Sequence, residues 1–64
     1  MTTMTLLKVG DNFFLVRVIP ETNGGFVTRV ETATFNAVGQ GETEEEALED
    51  IKAAIELLME DSRK

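Results

Sequence analysis

Apolar positions in this chain follow two periods, and the change from one to the other falls near Thr43. Leu6-Leu7-Lys8-Val9 runs into the turn-rich triplet Gly10-Asp11-Asn12, and Phe13-Phe14-Leu15-Val16-Arg17-Val18-Ile19 follows, β-branched and aromatic. Two such runs about a short glycine turn predict a hairpin. Pro20 has no N–H to give to a ladder and closes the second strand. Asn23-Gly24-Gly25 supplies residues that accept positive φ, so Phe26-Val27-Thr28-Arg29-Val30-Glu31 is expected to return as the far strand of a second hairpin. A further strand is expected from about Thr34 to Gln40, with Gly39-Gln40-Gly41 bending the chain out of it. Strands are therefore predicted at about 4–9, 13–20, 26–31 and 34–40.

From Thr43 the period is that of a helix. Thr43 and Glu46 have capping-box spacing, in which each side chain satisfies the other residue's backbone N–H, and Glu44 and Glu45 suit the positive end of the helix dipole. At 100° per residue Ala47, Leu48, Ile51, Ala54, Ile55, Leu58 and Met59 form one stripe, while Glu45, Glu49, Lys52, Glu56 and Glu60 lie opposite. A helix over about 43–61 would be ~28 Å long at 1.5 Å per residue, enough to cross a small sheet with its apolar stripe inward. Arg63 and Lys64 are cations suited to its C-terminal end. Helix and strand do not alternate, so the predicted class is α+β: a three- to four-stranded antiparallel sheet with one C-terminal amphipathic helix on one face, in the order ββ(β)βα.

One helix covers one face of such a sheet, and both faces here carry large apolar groups. Phe14, Val16 and Val18 point one way along the second strand, and Phe13, Leu15, Arg17 and Ile19 the other. On the third strand Phe26, Thr28 and Val30 oppose Val27, Arg29 and Glu31, which sets Arg17 and Arg29 on the side turned away from the helix. That face, or a sheet edge, is expected to form a homodimer or higher homo-oligomer interface, because a monomer would leave the apolar groups in water. Leu57 lies off the helix stripe beside Asp50 and Ala53, either at the edge of the core or as a further contact.

Composition narrows the chemistry. Sixty-four residues make one small domain, without repeats, low-complexity tracts or linkers, and 42% are hydrophobic, which predicts a folded core. A domain of this size buries only ~60% of its unfolded surface and has no disulfide to compensate, a second reason to expect self-association. With neither Cys nor His, zinc sites of the usual kinds, nucleophilic thiols, imidazole bases and most hydrolytic triads are excluded. No cofactor or metal is expected. No run approaches the ~18–20 apolar residues of a membrane span, and Met1-Thr2-Thr3-Met4-Thr5 does not resemble a signal peptide, so no membrane contact and a cytoplasmic address are expected.

Charge is unevenly placed. Residues 1–41 balance Asp11, Glu21 and Glu31 against Lys8, Arg17 and Arg29, so all of the net −6 belongs to residues 42–64. A phosphate backbone needs a basic stripe, and direct nucleic-acid binding is disfavoured. The acidic segment is either a solvated helix face or a surface for a basic protein. Gly39-Gln40-Gly41 ahead of a helix suggests an anion cradle, but Glu42, Glu44, Glu45 and Glu46 would repel a phosphate there.

Asn23-Gly24-Gly25-Phe26-Val27, followed by Val38-Gly39-Gln40-Gly41-Glu42-Thr43-Glu44-Glu45-Glu46-Ala47-Leu48 and continuing to Leu58, resembles the HicB antitoxin family. In that family a glycine turn with a following aromatic opens a strand, and a Gln-Gly-acid-Thr segment leads into a Glu-Ala-rich helix. The resemblance covers roughly residues 13–60. It implies a three-stranded antiparallel sheet with a helix on one face, a partly degraded ribonuclease H fold, and a non-catalytic role: binding and blocking a small HicA-like toxin that cleaves messenger RNA. Where family members carry a Pro-Asp-Leu-Pro-Gly-Cys type segment, this sequence has Glu31-Thr32-Ala33-Thr34-Phe35-Asn36-Ala37. Asp11, Glu21 and Glu31 do not form the converging carboxylates that two-metal nuclease chemistry requires, so no enzymatic activity is expected.

The residues assigned to partner binding are Phe13, Leu15, Arg17, Val27 and Arg29 on the uncovered sheet face and Glu49, Glu56 and Glu60 on the helix. The alternative function is a self-assembling structural or small-ligand-binding domain without a toxin.

Overall fold

The computed structural model describes residues 2–62, with side chains as far as Glu60. Four strands, β1 (Thr3–Val9), β2 (Asn12–Pro20), β3 (Phe26–Glu31) and β4 (Asn36–Gly41), precede one helix, α1 (Glu44–Ser62). The strands pair antiparallel in chain order as a four-stranded meander, and α1 packs on one face of it, an α+β fold. The C-terminal cations Arg63 and Lys64 lie outside the described residues.

Each turn follows from local chemistry. Val9 pairs with Asn12, so Gly10 and Asp11 alone connect β1 to β2. Gly10 has φ +62° and no described non-glycine residue has positive φ, which fits a type II′ hairpin with glycine first. Between β2 and β3, Gly24 (φ +97°) and Gly25 (φ +83°) let the chain reverse, and the Glu21 N–H donates to the Gly25 carbonyl at 3.0 Å. The link from β3 to β4 differs from expectation. The Thr32 hydroxyl oxygen accepts from the N–H groups of Thr34 (3.2 Å) and Phe35 (3.0 Å), and the Thr32 N–H donates to the Phe35 carbonyl. These bonds hold residues 32–35 in a turn, so β4 starts at Asn36 rather than Thr34.

Val9, Val16, Val30, Ala37, Ile51 and Ile55 form the buried cluster, with Leu7, Phe14, Phe35, Leu48, Ala54, Leu58 and Met59 packed against it. The predicted helix stripe is thus the one that faces the sheet. Phe14 and Phe35 meet with ring centroids 5.9 Å apart and planes tilted by 54°. Leu57 is not at the edge of this core; it is exposed on the outer side of α1.

The glycines of β4 do something other than bend the chain. Neither Gly39 nor Gly41 has positive φ, and both lie within the strand on its helix side. A Cβ at Gly39 would sit 2.5 Å from the Ile51 nitrogen, and one at Gly41 2.6 Å from the Ala47 nitrogen. The missing side chains let the helix backbone rest directly on β4. The buried Thr28 hydroxyl, one strand over, donates to the Ala47 carbonyl at 2.8 Å, and Asp50 Oδ2 accepts the Gln40 N–H at 2.9 Å.

The helix start keeps half of the predicted capping box. The Glu46 N–H donates to Thr43 Oγ1 at 3.1 Å, which makes Thr43 the N-cap. Glu46 Oε1, however, accepts from the Glu42 N–H at 3.1 Å, one residue before the position that a reciprocal box uses.

Candidate functional site

The face of the sheet away from α1 is uncovered. Its side chains alternate with the core positions, and the strand register sets them in rows: Lys8 beside Phe13; Leu6 beside Leu15; Met4, Arg17, Arg29 and Val38 in one line; Ile19, Val27 and Gln40 in another. Met4, Leu6, Phe13, Leu15 and Val38 are each more than half exposed. Ile19 and Val27 are half-buried. Isolated apolar side chains are ordinary on a protein surface, but Met4, Leu6, Phe13 and Leu15 adjoin one another across β1 and β2, and such a group marks a contact surface.

Cations are set into this surface. Arg17 Nη2 lies 3.8 Å from Glu31 Oε1 in an exposed pair, and Lys8 Nζ stands 5.9 Å from the Phe13 ring centroid. Exposed pairs of this kind contribute ~0–1 kcal/mol, so they leave the face adaptable rather than locked. Arg29 is directly opposite Arg17 and has no ion-pair partner among the described residues. Like charges paired across strands repel. Met4, Leu15, Arg17, Arg29 and Glu31 together line a shallow depression in the face.

All five sheet residues assigned from sequence, Phe13, Leu15, Arg17, Val27 and Arg29, therefore lie on one surface. Glu49, Glu56 and Glu60 do not join them: they are exposed on α1, on the other side of the sheet. The molecule presents two separate surfaces, one apolar with cations and one acidic. Sequence reasoning missed Met4, Leu6 and Val38. The signal for Met4 and Leu6 was available, because a two-residue turn at Gly10-Asp11 fixes the β1–β2 register and sets Leu6 beside Leu15. Val38 was legible too: the period of two sets Asn36, Val38 and Gln40 on one face of β4 and Ala37, Gly39 and Gly41 on the other, whichever residue begins the strand.

The described residues bring no three acidic side chains into a metal-holding group, and none of their buried side-chain polar atoms lacks a hydrogen-bond partner. An open hollow beside the β2–β3 turn, bordered by Glu21, Asn23, Gly25, Phe26 and Glu42, has the loop's own backbone bonds and no cluster of reactive groups. No helix among the described residues is long and apolar enough to cross a membrane. A broad apolar face with exposed guanidinium groups is suited to contact with another macromolecule, since Arg and apolar side chains both gain from desolvation at a protein interface. Comparison of the chain with protein-family models, with curated proteins and with solved structures finds no match.

Proposed function

We propose that this chain is a non-catalytic protein-binding domain of the HicB-like antitoxin type, acting in the cytoplasm to bind and neutralise a small HicA-like toxin that cleaves messenger RNA. The observation that carries the protein-binding part is the adjoining apolar group of Met4, Leu6, Phe13 and Leu15 on β1 and β2, exposed on the side of the sheet that α1 leaves bare, with Val38 exposed on the same side beyond Arg17 and Arg29. The toxin part rests on the resemblance of residues 13–60. Charge supports it: Glu49, Glu56 and Glu60 on α1 complement the basic surface that an RNA-cleaving partner needs. The same apolar surface favours a second reading, a self-assembling domain without a toxin.

The test is a tagged pull-down from the native host's lysate, with mass spectrometry of the eluate and light scattering of the purified complex. Recovery of a small basic ribonuclease in a fixed ratio, inhibited by this chain in a messenger-RNA cleavage assay, is the expected result. Recovery of the bait alone as a stable homo-oligomer overturns the toxin reading and leaves self-assembly.

A further inference from the structure

The two edges of the sheet differ, and the difference points to a specific contact. Along β4 the helix backbone rests on Gly39 and Gly41, and Asp50 takes up the Gln40 N–H, so that edge is partly closed. Along β1 no such cover is formed by the described residues. Its seven residues contain no proline and pair without a bulge from Thr3 opposite Val18 to Val9 opposite Asn12. Lys8 is its one charge. The usual devices that keep a strand edge from pairing are nearly absent.

The register fixes which groups of β1 are free. In a hairpin with a two-residue loop the residues that flank the loop form a hydrogen-bonded pair, and such pairs alternate along the ladder. Val9, Leu7, Thr5 and Thr3 therefore bond to β2, whereas Met4, Leu6 and Lys8 aim their N–H and C=O groups outward. This outward set is symmetric about Leu6. We propose that β1 is a homodimerisation edge: two copies pair β1 to β1, antiparallel about a two-fold axis at Leu6, as one continuous eight-stranded sheet.

Four consequences of that register favour a second copy over another occupant. Leu6 pairs with Leu6 of the second copy and Met4 with Lys8, so about six backbone hydrogen bonds form with every outward group used. On the open face, Leu15 and Leu6 of one copy continue into Leu6 and Leu15 of the other, an unbroken apolar row. The two Lys8 side chains end four residues apart, about 13 Å along the strands, which exceeds the ~8 Å screening length of physiological salt. Finally, α1 lies at the Val9 end of β1, where Val9, Gly10, Glu56, Met59 and Glu60 border one cleft, whereas Thr3 at the other end is exposed. The two-fold sets the covered end of each strand beside the bare end of the other, which keeps the two helices apart. The contact is isologous and closes at two copies.

Leu6 and Leu15 are neighbours on the same face with similar exposure, but only Leu6 is on the edge. This allows a test that does not depend on the toxin reading. Light scattering of the whole chain at micromolar concentration should give a dimer mass, and Leu6→Lys should give a folded monomer by circular dichroism and mass. Because the chain has no cysteine, a single Leu6→Cys reports directly. Cα atoms of a hydrogen-bonded antiparallel pair are ~5.5 Å apart, inside the ~4.4–6.8 Å range of a disulfide. Leu6→Cys should therefore form a covalent dimer under mild oxidation, and Leu15→Cys should not. A monomeric wild type, a Leu6→Lys variant that stays dimeric, or a disulfide that forms at Leu15→Cys and not at Leu6→Cys overturns the proposal.

Discussion

Gly39 shows how much of this fold depends on a side chain that is absent. It lies on the helix side of β4, in ordinary extended backbone, and an added methyl would press on the Ile51 nitrogen, the Thr28 hydroxyl at 2.7 Å and the Ile51 Cβ at 2.8 Å. Two of these three neighbours belong to the helix and the third is tied to it through the Thr28–Ala47 bond, so none yields cheaply. Gly39→Ala should destabilise by about 2 kcal/mol, within the range for overpacking. In a domain this small that lowers the melting temperature by roughly 10 °C, measurable by circular dichroism. Gly10→Ala meets no atom within 4 Å and adds only the strain of φ +62°, so its loss should be nearer ~1 kcal/mol. An equal loss at both positions would mean that close packing of α1 on β4 is not what Gly39 provides. The pair Gly39 and Gly41 is visible in the sequence, but a glycine needed for room and a glycine needed for a bend look alike there. Only the helix above them distinguishes the two.

At the level of elements, most of the fold was legible because each signal was local. The hairpin turns at Gly10 and Gly24-Gly25 require positive φ, alternation in β2 and β3 assigns their faces, and the stripe from Ala47 to Met59 is the buried face of α1. Errors arose where a side chain competed with the backbone. Thr32 captures two N–H groups and delays β4, and Glu46 reaches Glu42 instead of Thr43. Neither choice follows from residue type, since Thr and Glu form several local bonds of similar strength. The cap itself is a clear energetic element: Thr43 Oγ1 satisfies the Glu46 N–H at the start of a helix whose first turn is acidic. Thr43→Ala should cost ~1 kcal/mol, read as a lower urea midpoint at unchanged m-value. Thr43→Ser, which retains the hydroxyl oxygen, should recover most of it. The candidate surface was legible to the same degree as the strands. Its β2 and β3 members follow from alternation, and Val38 follows from the same period in β4, since a start two residues later leaves each side chain on its face.

The whole molecule has opposite surfaces of opposite character. The open sheet face is apolar and carries Lys8, Arg17 and Arg29 against Glu31, while the solvent side of α1 carries Glu45, Glu49, Glu56 and Glu60 against Lys52. A chain with a net charge of −6 spread evenly would repel its own copies and attract a basic partner from every side. Here the acidic surface and the apolar surface are separated by the sheet, so association with a copy and attraction of a basic protein need not compete. Pairing at β1 keeps both helices on one side of the eight-stranded sheet, which presents two acidic surfaces to the same side of solvent. If a basic toxin docks there, combined reversal of Glu49, Glu56 and Glu60 to Lys should weaken its binding at least tenfold in calorimetry at physiological salt. Wild-type affinity should fall as salt is raised, because exposed charges are screened beyond ~8 Å. Glu49→Lys alone should keep its dimer mass, since Glu49 lies neither on β1 nor at the cleft beside its Val9 end. Unchanged toxin affinity would show that the acidic helix is only solvated surface, and would move the search for the toxin contact to Arg17, Arg29 and the apolar row beside them.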